Sequence, residues 1–290
     1  DYYAGLAGAT RRPLRTTAAN GFMPTVEQVA EAVVDRPNAH LVCLNSPLNP
    51  CGTVVSRETL EGICRVLVAE NLRRAAKGSR PVTLLFDQVY WPLAAEHHHP
   101  LALVPEIAPW VIYVDAISKW MVGTGLRLGW AVVPTHLYDP VRDLMGHIGA
   151  WAPRPVQAAA ARFLADGAAF TEFTTNLREH VSASLRAASD AFDAMRRNGL
   201  PVESTTPQGA IYLSVRFDVI GKSTPAGQVL RTNTGIRKHL LADAGVALVP
   251  FQAFGLQEDS GWFRVSVGAV SAEELARGMA RLEATLSRLT

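Results

Sequence analysis

Lys119 stands in Ala-Ile-Ser-Lys-Trp-Met-Val-Gly-Thr-Gly-Leu-Arg-Leu-Gly-Trp (116–130), directly after the apolar run Trp-Val-Ile-Tyr-Val-Asp (110–115) and eight residues before Arg127. A lysine at the end of a buried strand, close to a guanidinium, describes an amine held for covalent chemistry beside an anion site. Only a deprotonated amine attacks a carbonyl, and burial or a neighbouring cation favours that form. Three other segments carry polar groups of matching use: Asn49 in Ser-Pro-Leu-Asn-Pro-Cys-Gly (46–52), Asp87 and Tyr90 in Phe-Asp-Gln-Val-Tyr (86–90), and Arg264 in Trp-Phe-Arg-Val-Ser-Val-Gly (262–268). Alone, Asn49 is a turn residue and Asp87 a strand-end cap. Strand alternation puts Phe263, Val265 and Val267 on one face and Trp262, Arg264 and Ser266 on the other. An arginine in such a strand is costly unless paired, either with an internal carboxylate or with a ligand anion.

The elements that must position these groups follow from periodicity. Thr25 with Gln28 forms a capping box for a helix to about Val34. His40–Leu44, Val82–Phe86, Trp110–Val114 and Leu128–Val133 read as continuous apolar strands, as in a parallel sheet buried on both faces. Ser56 caps a long helix to about Arg74. This βαβ rhythm predicts a sheet with helices on both sides and ligands beyond the carboxyl ends of its strands. Asn49, Asp87 and Lys119 each follow a different strand at that edge. Arg154 to about Asn198 is helical and alanine-rich. Beyond it come strands at Ala210–Val215, Val246–Pro250 and Trp262–Val267, with helices at Thr232–Ala244 and Ala272–Leu289. The boundary falls near residue 175, giving a large domain over 1–175 and a small α+β domain over 176–290.

Composition narrows the function class. The 290 residues are 48% hydrophobic and 19% charged, with 28 basic against 26 acidic side chains. That is a packed globular chain without a basic stripe, so nucleic acid is not the expected partner. No apolar stretch reaches spanning length, and no signal peptide is expected. Cys43, in a strand, and Cys64, in a helix, read as buried thiols in a reducing, cytoplasmic setting. No metal site is expected: His97-His98-His99 lies in a polar, proline-bounded loop and reads as a solvated turn. Gly123, Gly125 and Gly129 are spaced wrongly for a dinucleotide fingerprint.

In combination and order, Asn49, Asp87, Tyr90, Lys119, Arg127 and Arg264 resemble the class I/II aminotransferase family of pyridoxal-phosphate enzymes (fold type I), over nearly the whole chain. The resemblance implies an α/β fold with a mostly parallel central sheet, plus the smaller C-terminal α+β domain. It implies that Lys119 forms the Schiff base with pyridoxal 5′-phosphate and then shuttles the α-proton. Asp87 would pair with the pyridine nitrogen, Tyr90 and Asn49 with the ring oxygen, and Arg127, with Ser118, with the phosphate. Arg264 would hold the substrate α-carboxylate, and Tyr2 or Tyr3 would stack on the ring. Tyr212 sits where the family has an aromatic near the substrate, with core packing an equal reading. Trp151 either lines the pocket or packs under the helix that follows.

The implied reaction is transamination between an amino acid and a 2-oxo acid in a homodimer. Two alternatives share the resemblance: a C–S or β-elimination lyase, and the aminotransferase-like effector domain of a transcription regulator. Family members carry an N-terminal arm and a glycine-rich phosphate loop before the position of Asp1, so the chain reads as lacking its N-terminal portion. By itself it is expected to bind cofactor poorly and to expose apolar surface.

Overall fold

The computed structural model describes the backbone of residues 2–290 and the side chains of residues 4–290. The chain divides into two compact units. The first takes the stretch up to Val42 with Val55–Leu84 and His98–Val111; the second takes Cys43–Val54, Leu85–His97 and Ile112–Thr290. Every candidate site residue except Tyr2 and Tyr3 lies in the second unit, and the side chains of those two tyrosines lie outside the described residues.

After the short helix α1 (Tyr2–Leu6), the first unit is organised by α2 (Val26–Val33) and α3 (Arg57–Ala75), followed later by α4 (Pro100–Leu103). Thr25 and Gln28 form the expected capping box: Thr25 Oγ1 accepts from the Gln28 N–H at 3.2 Å, and Gln28 Oε1 accepts from the Thr25 N–H at 3.0 Å. Val29 and Val33 of α2 and Leu60, Ile63, Cys64 and Leu67 of α3 are buried apolar residues of this unit. Arg74 is buried, yet its charge is matched by Glu70 at 2.7 Å and by the carbonyls of Val33, Arg36, Ala39 and Arg80. A buried guanidinium is tolerated only with this density of partners.

The sheet that carries the candidate site has the order β1 (Leu41–Asn45), β2 (Thr83–Asp87), β3 (Val111–Ala116), β4 (Gly129–Val132). The Thr83 N–H donates to the His40 carbonyl, and the Ser46 N–H to the Asp87 carbonyl, so β1 and β2 advance together and are parallel. Helical segments connect β1 to β2 and β2 to β3, as parallel neighbours require. β4 instead turns back antiparallel on β3, with Ala116 opposite Gly129. The sheet is therefore mixed and mostly parallel, the fold class expected.

Two strand expectations need correction. All four β4 residues are exposed, and Leu41 and Cys43 of β1 are exposed as well. Both are edge strands, so the apolar runs that suggested two-sided burial end in open faces, and Cys43 is not a buried thiol.

The rest of the second unit is α5 (Thr135–Ile148), α6 (Arg154–Ala165), α7 (Gly167–Arg197), β5 (Val202–Ser204), β6 (Tyr212–Phe217), α8 (Asn233–Ala244), β7 (Val249–Pro250), β8 (Trp262–Ser266) and α9 (Ala272–Leu286). The single long helix expected over 154–198 is two: Asp166 ends α6 and caps α7, its carboxylate accepting from the Ala169 N–H at 3.1 Å. Only Val249–Pro250 of the strand expected at 246–250 pairs. Helix α5 lies in a stretch with no assigned element, where Pro140 masks the helical pattern. The small sheet, ordered β5-β6-β8-β7, packs Leu213, Val215, Phe263 and Val265 into one core with Phe192 of α7, Leu240 of α8 and Leu282 of α9. Phe263, Val265 and Val267 thus face the core, on the side opposite Arg264, as alternation requires. Among the described residues no helix is long and apolar enough to cross a membrane.

Candidate active site

The loop after β1 is shaped by Gly52. Its φ is +70°, and a Cβ there would stand 2.0 Å from the Tyr212 carbonyl oxygen, so only glycine fits. Its carbonyl accepts from the N–H groups of Gln208 and Gly209, at 2.8 and 2.9 Å. The Cys51 and Pro50 carbonyls accept from Thr205 Oγ1 and Ser214 Oγ, each at 3.2 Å. The 46–52 loop is in this way fastened to the start of β6. Asn45 Oδ1 accepts from the Asn49 N–H at 2.8 Å, which fixes the residue at the tip.

The turn after β2 places Asp87 and Tyr90. Asp87 is half-buried and accepts from the Val89 N–H at 3.2 Å. Burial raises its carboxyl pKa; the Val89 bond opposes this, and the nearby Asp115 charge adds to it. Asp115, at 4% exposure, accepts from the indoles of Trp91 at 2.8 Å and Trp120 at 3.2 Å. Its pKa is likewise raised by burial, with those bonds opposing. Asp115 therefore ties the residue after Tyr90 to the residue after Lys119. The signal was present in the sequence, an aspartate closing an apolar strand, but its indole partners could not be read there.

The turn after β3 holds Ser118, Lys119 and Arg127. The Val122 N–H donates to the Lys119 carbonyl at 3.0 Å, and Val122 itself has φ 53°. Thr124 Oγ1 donates to the Ser118 carbonyl at 2.6 Å, and Arg127 Nη1 to the Thr124 carbonyl at 2.9 Å. Arg127 is exposed and has φ 56°. The Lys119 side chain is half-buried and makes no hydrogen bond or ion pair among the described residues. Its neighbour Trp120 is buried in a cluster with Tyr90, Leu93, Ala210 and Tyr212.

Arg264 comes from β8, opposite Ser214 of β6 and Val249 of β7. Its Nη1 donates to Asn49 Oδ1 at 3.0 Å. Its guanidinium carbon lies 4.4 Å from the Tyr212 ring centroid and 5.1 Å from that of Phe254. The Arg264 Nε is buried and has no hydrogen-bond partner among the described residues. The Tyr212 and Tyr90 hydroxyls are 3.1 Å apart, and their rings meet edge-on at 5.5 Å. Burial, then Tyr212, raises the Tyr90 pKa, while Arg264 opposes the rise.

Asn49, Arg264, Tyr212 and Tyr90 thus form one chain of contacts. Ser118 and Arg127 share a separate turn with Lys119. Phe254 gave no sequence signal because ten residues separate it from the arginine it covers. Trp151 is 62% exposed and lines no core. His97 is not a simple solvated turn residue, since its ring lies 5.8 Å from that of Phe86. Among the described residues no cluster of three or more metal-ligating side chains occurs.

The sequence profile described as "Aminotransferase class I and II" matches residues 2–282. Aspartate aminotransferase of Rhizobium meliloti (strain 1021) is 29% identical over 277 residues, covering 94% of this chain and 62% of the relative. A putative aminotransferase, YugH, of Bacillus subtilis (strain 168) is 28% identical, covering 100% of this chain and 67% of the relative. A crystal structure of the Rhizobium meliloti aspartate aminotransferase superposes with a TM-score of 0.84 at 27% identity, over 99% of this chain and 67% of that one. A Thermus thermophilus aspartate aminotransferase with maleate gives 0.81 at 25% identity, over 97% and 65%. The chain spans 62% of the Rhizobium relative's length. With the matched profile covering almost all of its residues, the chain belongs to the class I and II aminotransferases, a family of pyridoxal-phosphate enzymes.

Proposed function

We propose that the protein is an aminotransferase that moves an amino group from an amino acid to a 2-oxo acid. The observation that carries this reading is Arg264. Its guanidinium is fixed by Asn49, Tyr212 and Phe254, yet its buried Nε has no partner. A desolvated donor of that kind calls for an anion, and a carboxylate takes two parallel N–H bonds from a guanidinium edge.

The donor set fits pyridoxal 5′-phosphate. When bound, the cofactor supplies an aldehyde carbon that takes an amine and a conjugated ring that accepts electrons from the substrate Cα. Asp87 offers a carboxylate whose burial a protonated ring nitrogen would offset, and it would hold that proton in place. Arg264 already engages Asn49 Oδ1, so the Asn49 amide N–H groups would remain to donate, with the Tyr90 hydroxyl, to the ring oxygen. Arg127 and Ser118 would hold the phosphate, and Tyr2 would stack on the ring. Lys119, without a competing ion pair among the described residues, would be the amine that meets the aldehyde. With substrate in place, Lys119 would be the group positioned to take the Cα proton and return it. The larger domain over 1–175, the homodimer and a cytoplasmic location belong to the same reading.

The test uses the protein expressed from its complete reading frame. Borohydride should fix pyridoxal phosphate irreversibly on Lys119, and aspartate with a 2-oxo acid is the first pair to assay, because several relatives are named aspartate aminotransferases. Lys119→Ala should abolish fixation and lower turnover by at least about a thousandfold. Unchanged fixation in that variant overturns the assignment. Release of ammonia without an acceptor replaces transamination by elimination.

A further inference from the structure

We propose that Tyr212 is a positioning residue that couples the two ends of the site, its hydroxyl setting Tyr90 and its ring setting Arg264. The inference rests on the aminotransferase reading, because Tyr90 and Arg264 are the groups through which it acts.

Tyr212 is held where it cannot drift. It is 5% exposed, pairs with Ser266 in the sheet, and meets the Gly52 backbone so closely that no Cβ fits between them. From this fixed backbone its side chain serves two neighbours. The hydroxyl lies 3.1 Å from the Tyr90 hydroxyl. The ring face lies 4.4 Å below the Arg264 guanidinium, with Phe254 at 5.1 Å.

Proton inventory gives the hydroxyl contact its direction. Each phenol has one O–H to donate, and two phenols sharing one bond spend one of them. If Tyr212 donates to Tyr90, the Tyr90 proton remains available to a ligand oxygen, and the two bonds in series strengthen each other. The nearby Arg264 charge, which opposes the rise in the Tyr90 pKa, favours the polarised phenol this arrangement needs. The ring contact acts differently. A guanidinium between two aromatic faces is oriented without using up its N–H groups, so its edge stays open to a carboxylate.

Simple packing makes a competing claim, since Tyr212 also lies in the cluster with Tyr90, Leu93 and Trp120. A packing residue tolerates phenylalanine; a residue with two roles separates them. In the protein expressed from its complete reading frame, two quantities are measured. One is the pH midpoint of the visible absorbance band of added pyridoxal 5′-phosphate. The other is the affinity for propanoate, the simplest carboxylate probe, from its effect on that band and on tryptophan fluorescence.

Tyr212→Phe should raise the midpoint by about one pH unit and leave propanoate affinity within about twofold. Phe254→Leu should do the reverse, weakening propanoate about fivefold with the midpoint unmoved. Tyr212→Leu should show both effects, with propanoate about tenfold weaker. A Tyr212→Phe protein identical to wild type in both readouts overturns the coupling, as does one in which both fall together with thermal stability. A wild-type protein that shows neither a titrating band nor propanoate binding overturns the aminotransferase reading and this inference with it. A wild type that shows both, beside a silent Tyr212→Phe, overturns only the inference.

Discussion

The two ends of the candidate site are built on opposite principles. At the Arg264 end, Asn49, Tyr212, Phe254 and Tyr90 hold one another through side chains, and β6, β8 and the 46–52 loop lie behind them. At the Lys119 end, the bonds around Ser118, Lys119 and Arg127 end on the turn's own backbone: the Val122 and Gly123 N–H groups donate to the Lys119 and Ile117 carbonyls, and the Thr124 and Arg127 side chains to the Ser118 and Thr124 carbonyls, while Arg127 is exposed. Two non-glycine residues there, Val122 and Arg127, take left-handed backbone angles. The contrast teaches that a receptor for one fixed group can be finished by the chain alone. A turn in which Thr124 and Arg127 reach only its own backbone leaves more to be finished by what it binds.

The strongest way to break this contrast is Gly52→Ala. The new Cβ combines a left-handed φ with overlap onto the Tyr212 carbonyl. The expected loss is on the order of 3 kcal/mol, read from the urea midpoint. Propanoate affinity should fall with it, while borohydride fixation on Lys119 in the protein that remains folded persists. A variant within about 0.5 kcal/mol of wild type would show that the loop does not set the finished end.

Asp87 belongs to the turn after β2, and its replacement separates stability from ligand retention. Its folded pKa is raised above the ordinary value of 3.8. The stability it contributes is therefore complete below that value and is lost as the pH rises through the folded pKa. At neutral pH the burial of Asp87 is therefore a cost to the protein without cofactor. Asp87→Asn should raise the melting temperature of cofactor-free protein at pH 7, with the gain shrinking as the pH falls toward 4, and should weaken pyridoxal phosphate retention. Equal melting temperatures across that range, or a variant that melts lower at pH 7, would contradict the role of burial.

What was legible in the sequence follows the same division. The strand ends that deliver Asn49, Asp87 and Lys119, and the alternation that puts Arg264 on a polar face, are local patterns of period and punctuation. The contacts that finish the Arg264 end are not local. Tyr212 meets Tyr90 across 122 residues, and Arg264 meets Asn49 across 215. No window of sequence contains such pairs. Asp115 shows a middle case: an aspartate closing an apolar run stands in the sequence, but the Trp91 and Trp120 indoles that make its burial tolerable come from two turns whose approach only the sheet order decides. The misreadings at Cys43 and β4 have one cause. Apolar runs report that a strand can be buried, whereas edge position depends on which strands lie beside it.

The smallest expected effect sharpens the account of the open end. Val122 is β-branched, has φ 53° and is 67% exposed, so its side chain gains little from packing while its backbone carries steric strain. A left-handed angle costs an ordinary residue roughly 1–2 kcal/mol, and glycine removes that cost while adding about 0.5–1 kcal/mol of unfolded-state entropy. Val122→Gly should therefore stabilise the protein by up to about 1 kcal/mol, measured as a higher urea midpoint at unchanged slope. If the bond from residue 122 to the Lys119 carbonyl is what sets the turn, borohydride fixation should keep its wild-type rate, because that N–H survives the substitution. A gain in stability with slower fixation would instead mean that the strained valine presses Lys119 into position, and the open end would then be no less prearranged than the closed one.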